Sequence, residues 1–230
     1  MRIAVLSDIH SNLAALKAVL EDFSKVDEIL CLGDLVGYGA EPNEVVELVR
    51  ENRIRCVMGN HDYAAVTGDV RGMNHLAAQA ALWTHRTLTE ENRKFLKSLP
   101  LECKVKLSGR VIYLVHGSPK DPLWEYVFPD ISNSALLEIT REVEADFSIF
   151  GHTHLPMLRK IFGKLVLNPG GVGQPRDLDP RASYMLLELD EGKEPVIQFK
   201  RVKYDIDYTA KKIREAGLPE ELAARLYFGW

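Results

Sequence analysis

The stretch MRIAVLSDIH at residues 1–10 places an apolar run, Ile3–Leu6, directly before two polar side chains, Asp8 and His10. A short apolar run of this kind predicts a buried β-strand, here Arg2–Leu6. Four further apolar runs end in the same way: Ile29–Leu32 before Asp34, Cys56–Met58 before Asn60 and His61, Val111–Val115 before His116, and Phe147–Phe150 before His152 and His154. Because ligands collect beyond the carboxyl ends of strands in α/β sheets, we expect these five loops to meet at one site.

The segments between the first runs predict helices that cover a partly parallel sheet. Leu13–Phe23 has apolar residues at helical spacing, and Pro42 is a favourable first-turn residue for a helix at Asn43–Glu51. A third strand is predicted at Ile54–Met58, leading into a loop. This β-α-β-α-β order indicates parallel strands with helices on the faces of the sheet.

The second half of the chain predicts a more antiparallel sheet. Ser108 and Gly109 lie between two β-type runs and favour a hairpin, and further runs follow at Tyr184–Leu189 and Val196–Val202. No linker or repeat interrupts the chain. We therefore predict one domain over residues 1–230, with one sheet drawn from each half.

Composition excludes several classes of protein. The 230 residues carry 29 Lys and Arg against 33 Asp and Glu, and 46% are hydrophobic, which excludes intrinsic disorder. No apolar run approaches the roughly 18 residues of a membrane span, and the N-terminus lacks a signal-peptide pattern. Cys31, Cys56 and Cys103 have no CxxC spacing. We predict a cytoplasmic protein that needs no membrane or nucleic-acid partner, of undecided oligomeric state.

The polar residues at the strand ends have the chemistry of a metal site. The seven candidate ligands are Asp8, His10, Asp34, Asn60, His116, His152 and His154. Carboxylate, imidazole and amide groups suit manganese, iron, cobalt, nickel or zinc better than magnesium or calcium. Seven ligands exceed the need of one ion but suffice for two, about 3.5–4 Å apart, if a carboxylate bridges them. His61, beside Asn60, is a candidate acid for a departing alkoxide. Taken singly, each cluster is more typical of a turn or a surface pair.

Read in order, the clusters D-x-H, GD, GNHD, H and GHTH resemble those of the calcineurin-like metallophosphoesterases. The resemblance extends from Met1 through NPGGVGQPRD at Asn168–Asp177. It implies an α/β fold, a four-layer sandwich of two mixed sheets flanked by helices. It further implies that Asp34 bridges two ions and that His61 contacts the scissile phosphate and the leaving group. The resemblance also implies that the first ion is bound by Asp8, His10 and His154, and the second by Asn60, His116 and His152.

Within the family, the segments GDLVGYG and GNHD look most like those of small bacterial and archaeal phosphodiesterases. Gly37 and Tyr38 stand where the GDxxDRG pattern of the Ser/Thr protein phosphatases has Asp and Arg. Without that Arg, the site lacks a bidentate clamp for a phosphate dianion, which favours diesters. Arg176 is a candidate substitute contact, Tyr38 a candidate platform for a substrate base, and Asp62 a candidate to orient His61.

The predicted function is therefore hydrolysis of a small phosphodiester by a metal-bridging hydroxide, with His61 as general acid and manganese as the favoured ion. A phosphomonoesterase or nucleotide-pyrophosphate hydrolase, a nuclease and a non-catalytic scaffold remain alternatives. Trp124 and Phe128 are interpreted as packing residues, as is Trp230. Met73–Trp83 is either packing or a lid over the site.

Overall fold

Two five-stranded sheets form the framework of the computed structural model, which describes residues 1–23 and 25–230. The strands are β1 (Arg2–Leu6), β2 (Glu28–Cys31), β3 (Arg55–Cys56), β4 (Glu102–Leu107), β5 (Arg110–Val115), β6 (Phe147–Ile149), β7 (Met157–Ile161), β8 (Lys164–Asn168), β9 (Ala182–Glu188) and β10 (Val196–Val202). The helices are α1 (Leu13–Asp22), α2 (Pro42–Glu51), α3 (Asn60–Thr67), α4 (His75–Thr87), α5 (Glu90–Lys97), α6 (Asn133–Thr140), α7 (Ile206–Glu215) and α8 (Glu220–Ala224), and a 3₁₀ turn follows at Arg225–Tyr227.

Both sheets are mixed. The first has the order β10-β9-β1-β2-β3, with β1 parallel to β2 and antiparallel to β9. The second has the order β4-β5-β6-β8-β7, with a parallel centre formed by β5, β6 and β8. The prediction of one sheet from each half of the chain is wrong, because β9 and β10 complete the first sheet. Every residue of β9 except Glu188 is buried. The strand therefore has protein on both of its faces, and it lies beside β1 in the first sheet.

Alternate residues of β1 divide the core between two layers. Ile3 and Val5 pack between the sheets, against Ile112 and Phe147 of the second sheet. Ala4 and Leu6 face the outside of the first sheet, in the cluster that includes residues of α1 and α2. Helix α6 packs on the outer face of the second sheet, next to β5 and β8. These helix-sheet-sheet-helix layers confirm the predicted four-layer α/β sandwich.

Helix α3 was not predicted. The third strand is two residues long instead of the expected Ile54–Met58, and a helix begins at Asn60, where a loop was expected. The Asp62 carboxylate accepts a hydrogen bond of 3.0 Å from Gly59 N and so caps the first turn. The first turn buries three polar residues, Asn60, His61 and Asp62. A helix that turns polar groups inward lacks the apolar period on which sequence prediction depends.

The last elements of the chain cover one end of the sandwich. Residues of α7 and α8, among them Ala210 and Leu222, pack in one cluster with Tyr38 and with Ala77 of α4. No helix of the described residues is long and apolar enough to span a membrane. The three cysteines are free thiols.

Candidate active site

The loops at the strand ends converge as the sequence predicts. Asp8, His10 and His154 can each direct one ligand atom to a common point, and so can Asp34, His116 and His152, with the atoms of each set within 4.8 Å of one another. All six are at most 4% exposed. Asn60 joins the second set, since its Oδ1 lies 3.0 Å from His116 Nε2. The structure thus brings all seven candidate ligands together, in two sets.

Asp34 lies between the two sets. Its Oδ2 is 3.6 Å from His10 Nε2 on one side and 3.4 Å from His116 Nε2 on the other. Its Oδ1 accepts a hydrogen bond of 2.8 Å from the backbone N–H of His61. The carboxylate is therefore held through one oxygen and directs the other toward both ligand sets.

Backbone carbonyls orient three of the histidines. The Nδ1 atoms of His10, His116 and His154 lie 3.1, 2.7 and 2.5 Å from the carbonyl oxygens of Val36, Leu32 and Gln174. A ring that donates from Nδ1 leaves the lone pair of Nε2 free to bind a metal. These partners were not predictable from the sequence, because every residue has a backbone carbonyl oxygen.

Five of the seven candidate ligands have a left-handed backbone conformation. The φ angles of Asp8, His10, Asp34, His152 and His154 are +54°, +51°, +53°, +66° and +60°. This conformation is unfavourable for residues with a Cβ and persists where the surrounding structure enforces it, commonly at functional sites. Asp8 and His10 are two residues apart, a spacing that would place both side chains on one side of an extended strand, but their positive φ angles show that they reach the same site from left-handed backbone.

Burial and neighbouring charges shift the pKa values of the carboxyl and imidazole groups at the centre. Burial raises the pKa of Asp8 to about 7. Burial would also raise the pKa of Asp34, but the nearby His116 and His61 hold it well below the usual range. His116 shows the reciprocal effect: burial opposes its charge, but Asp34 raises the pKa to about 9.

Two buried carboxylate oxygens at this centre, Asp8 Oδ1 and Asp34 Oδ2, have no hydrogen-bond partner among the described residues. An uncompensated buried anion is costly unless a cation meets it. The donor set therefore fits divalent metal ions, and Asp34 lies between the two sets of candidate ligands.

His61 lies beside the ligand sets at the start of α3. Its ring centre is 4.8 Å from that of His10 and 4.4 Å from that of Tyr38, and burial lowers its pKa to about 4. The expectation that Asp62 orients His61 is wrong, because the Asp62 oxygens accept hydrogen bonds from the backbone N–H groups of Gly59 and Val36. His61 Nδ1 has no partner among the described residues.

Gly37 supplies the space for the His61 ring. A Cβ on Gly37 would lie 2.3 Å from His61 Nδ1, and its φ of +88° also favours glycine. Close packing of the Gly37 backbone thus contributes to the placement of His61, where the sequence analysis expected a carboxylate.

Tyr38 is buried rather than exposed. It is only 4% exposed, its ring contacts those of His10 and His61, and it also lines the cleft that opens from His61. The Tyr38 hydroxyl accepts a hydrogen bond of 3.3 Å from Arg176 Nη2, and Gln174 Oε1 accepts another of 3.1 Å. Burial and then the positive charge of Arg176 lower the pKa of His154.

A cleft of about 560 Å³ opens from His61 and Asn60. Trp124 and Tyr126 line it, so Trp124, interpreted from the sequence as a packing residue, also faces the cleft. The Tyr126 ring stacks on that of His152 with centres 3.7 Å apart. The sequence analysis missed Tyr126, which belongs to no motif. Met73 also lines the cleft, so part of the Met73–Trp83 segment forms a wall of it.

Comparison with known proteins agrees with this geometry. An uncharacterized protein of Methanocaldococcus jannaschii is 41% identical over 246 residues, covering 99% of this chain and 98% of that protein. The crystal structure of a metallophosphoesterase from Sphaerobacter thermophilus matches with a TM-score of 0.86 and 39% identity, covering 100% of both chains. The phosphodiesterase YfcE of Escherichia coli is 27% identical over 202 residues, covering 83% of this chain and 89% of YfcE.

The family comparison covers most of the chain. Residues 1–192 match the calcineurin-like phosphoesterase superfamily domain. The ligand sets described above all lie within these residues. The chain therefore belongs to the calcineurin-like phosphoesterase superfamily, with metallophosphoesterase and phosphodiesterase relatives in archaea and bacteria.

Proposed function

We propose that the chain is a two-metal phosphodiesterase that hydrolyses a small phosphodiester. The observation that carries the proposal is the position of Asp34 Oδ2, which is 3.6 Å from His10 Nε2 and 3.4 Å from His116 Nε2. A carboxylate oxygen between two sets of ligands is what a pair of ions requires. The donor chemistry favours manganese, with iron, cobalt, nickel and zinc as alternatives.

Divalent ions at such a centre supply Lewis-acid activation of water and of the phosphoryl oxygens. The residues of the chain contribute the rest. His61 lies next to the ligands and at the base of the cleft, so it is placed beside a leaving group that occupies the cleft. Burial keeps the free imidazole neutral, with a pKa of about 4, but a phosphate anion beside it favours the protonated form. The imidazolium then donates its proton to the departing oxygen.

The preference for diesters rests on the number of cationic donors. Tyr38 occupies the position of the family's phosphate-binding Arg, and its ring is buried among histidines. Arg176 is the guanidinium close to the ligands, and its Nε has no partner among the described residues. Arg71 also lines the cleft but is paired with Asp69, and Arg225 is paired with the carbonyl oxygen of Trp230. Arg176 is therefore the guanidinium left for the phosphoryl group, and one guanidinium suits the single charge of a diester better than the nearly double charge of a monoester. The cleft has room for the organic group of a diester.

Matched chromogenic substrates test the proposal. We expect the purified protein with added Mn²⁺ to hydrolyse bis-p-nitrophenyl phosphate with a higher kcat/KM than p-nitrophenyl phosphate. Faster hydrolysis of the monoester would favour a phosphomonoesterase of the same mechanism. Full metal loading without hydrolysis of either ester would favour the non-catalytic scaffold.

We further propose that the substrate is a small molecule and that the chain acts in the cytoplasm. The first proposal is supported by the cleft, whose size is that of a small-molecule site. Incubation with single- and double-stranded DNA and RNA, followed by gel electrophoresis, tests it. Cleavage of any of these polymers at rates comparable with the chromogenic diester would contradict it.

A further inference from the structure

The last turn of the chain lies against the active site, although it follows the family-matched residues 1–192. The guanidinium carbon of Arg225 lies 5.8 Å from the centre of the Tyr38 ring. Its Nε donates a hydrogen bond of 2.7 Å to the carbonyl oxygen of Trp230, whose ring it also faces at 5.8 Å. Arg225 is thus anchored by the end of the chain and directed toward Tyr38.

Tyr38 connects this turn to the catalytic centre. On one side its ring contacts His10 and His61, with centres 4.7 and 4.4 Å away. Its hydroxyl accepts a hydrogen bond from Arg176, and the guanidinium carbon of Arg176 also lies 5.8 Å from the ring centre. Two arginines therefore contact one buried tyrosine, and this tyrosine touches a metal-ligand candidate and the proposed general acid.

A second contact joins the same turn to the loop that carries Arg176. Leu178 N–H donates a hydrogen bond of 2.9 Å to the carbonyl oxygen of Gly229. The Gly229 backbone, with φ of +67°, packs so closely on Asp179 that a Cβ would lie 2.6 Å from the carbonyl carbon of Asp179. The turn at residues 225–229 thus holds Tyr38 through a side chain and the Arg176 loop through the backbone.

We propose that Arg225 is a positioning residue for phosphate binding, which acts by holding Tyr38 and through it the guanidinium of Arg176. This inference rests on the proposed function, in which Arg176 contacts the phosphoryl group. Placing two guanidinium groups near each other is unfavourable: burial and then the charge of Arg176 lower the pKa of Arg225. Cation–π contact with Tyr38 and the hydrogen bond to Trp230 offset that cost and specify an arginine at this position.

The test measures affinity for inorganic phosphate by titration calorimetry on Mn²⁺-loaded protein. We expect Arg225→Met to raise the dissociation constant about tenfold, as expected when a hydrogen bond to a charged group is lost. Arg225→Lys keeps a cation and is expected to retain most of the affinity. Arg214→Met is the matched control, because Arg214 lies in the same C-terminal region but pairs with Glu220 at the surface. It is expected to leave phosphate affinity unchanged.

A double-variant comparison separates positioning from general loss of structure. Arg176→Met alone is expected to weaken phosphate binding about tenfold, and adding Arg225→Met is expected to weaken it little further, because both act through one contact. With the chromogenic diester, the loss is expected in KM more than in kcat, at unchanged metal content. Tyr38→Phe removes only the hydroxyl that Arg176 contacts, and it is expected to show the same non-additivity with Arg225→Met.

Two results would overturn the inference: full additivity of Arg176→Met and Arg225→Met, or an effect of Arg225→Met equal to that of Arg214→Met. If Arg225→Met does not fold, Arg225→Gln, which also removes the cation, decides in the same way in combination with Tyr38→Phe. Wild-type protein that binds phosphate but hydrolyses no ester would contradict the proposed function alone, since the phosphate titrations would still decide the role of Arg225.

Discussion

At the scale of single residues, three contacts determine the position of His61. Its backbone N–H donates to Asp34 Oδ1, its ring packs against Tyr38, and Gly37 leaves room beside its Nδ1. Asp34, the proposed bridging ligand, therefore also holds the first turn of the helix that carries His61. One hydrogen bond thus links the proposed acid to the proposed bridging ligand.

Replacing His61 tests its role as the proton donor. We expect His61→Asn to lower kcat for a phosphodiester by about 10²–10⁴-fold, the usual contribution of a general acid. Metal content by elemental analysis is expected to stay at the wild-type value. Unchanged turnover would reject the acid role, and loss of metal would make His61 a ligand instead.

Gly37 offers a test of ring placement that leaves all titratable groups in place. Gly37→Ala would put a methyl group 2.3 Å from His61 Nδ1, so we expect the ring to shift and kcat to fall about 10²-fold. Gly109→Ala is the control, because Gly109 has a similar φ of +76° and nothing within 4 Å of the added methyl. Equal losses of activity in both variants would show that backbone strain, and not contact with His61, is responsible.

At the scale of elements, helix α3 connects the first sheet to the catalytic centre. Its first turn carries Asn60 and His61, and the buried carboxylate of Asp62 accepts hydrogen bonds from Gly59 N and Val36 N at 3.0 and 3.1 Å. These bonds join the loop after β2, which carries Asp34, to the residue Gly59 that leads into α3. Asp62 is therefore a structural residue of the site.

Removing this cap is expected to destabilise the protein more than removing an ordinary one. Asp62→Ala leaves two buried N–H groups unpaired, at about 1–3 kcal/mol each. Thr89→Ala removes the side-chain cap of α5, a hydrogen bond of 3.2 Å to Asn92 N, and is expected to cost about 1 kcal/mol. Urea unfolding of the metal-free proteins measures both. A smaller loss for Asp62→Ala than for Thr89→Ala would contradict the structural role.

At the scale of the whole molecule, the two ligand sets join the two sheets. Asp8 and Asp34 follow strands of the first sheet, whereas His116 and His152 follow strands of the second. Asp8 Oδ1 lies 3.2 Å from His154 Nε2, and Asp34 Oδ2 lies 3.4 Å from His116 Nε2. Each proposed ion is therefore held by both halves of the sandwich, so metal binding and folding stability are coupled.

Metal removal is expected to lower the melting temperature. Ions that bind only the folded state at 100 times their dissociation constant add about 2.7 kcal/mol to the free energy of unfolding. We expect chelation to remove this stabilisation and Mn²⁺ to restore it, as measured by calorimetry. Asp34→Asn is expected to show a much smaller shift. An Mn²⁺ effect of the same size in both proteins would contradict metal binding at this centre.

The sequence predicted the site better than it predicted the path of the chain. The convergence of the candidate ligands could be predicted because Asp, His and Asn residues cluster directly after apolar runs, a pattern that depends on residue type alone. The sequence did not predict that β9 belongs to the first sheet, since an apolar strand pairs equally well with several partners. Helix α3 was missed because its buried face is polar.

The roles assigned around His61 show what residue type cannot reveal. Asp62 was expected to hold the imidazole, but its carboxylate caps the helix, and the backbone of Gly37 packs against the ring instead. The packing of Tyr38 against residues of α7 and α8 was likewise not predictable from its place in the loop after β2. These contacts join residues far apart in the chain through backbone atoms and packing, which leave no motif.

Anomalous diffraction from crystals of the Mn²⁺-loaded protein tests whether Asp34 contacts two ions. We expect two manganese peaks about 3.5–4 Å apart, with Asp34 Oδ2 in contact with both. A single peak, or two peaks of which only one lies within bonding distance of Asp34, would contradict this expectation.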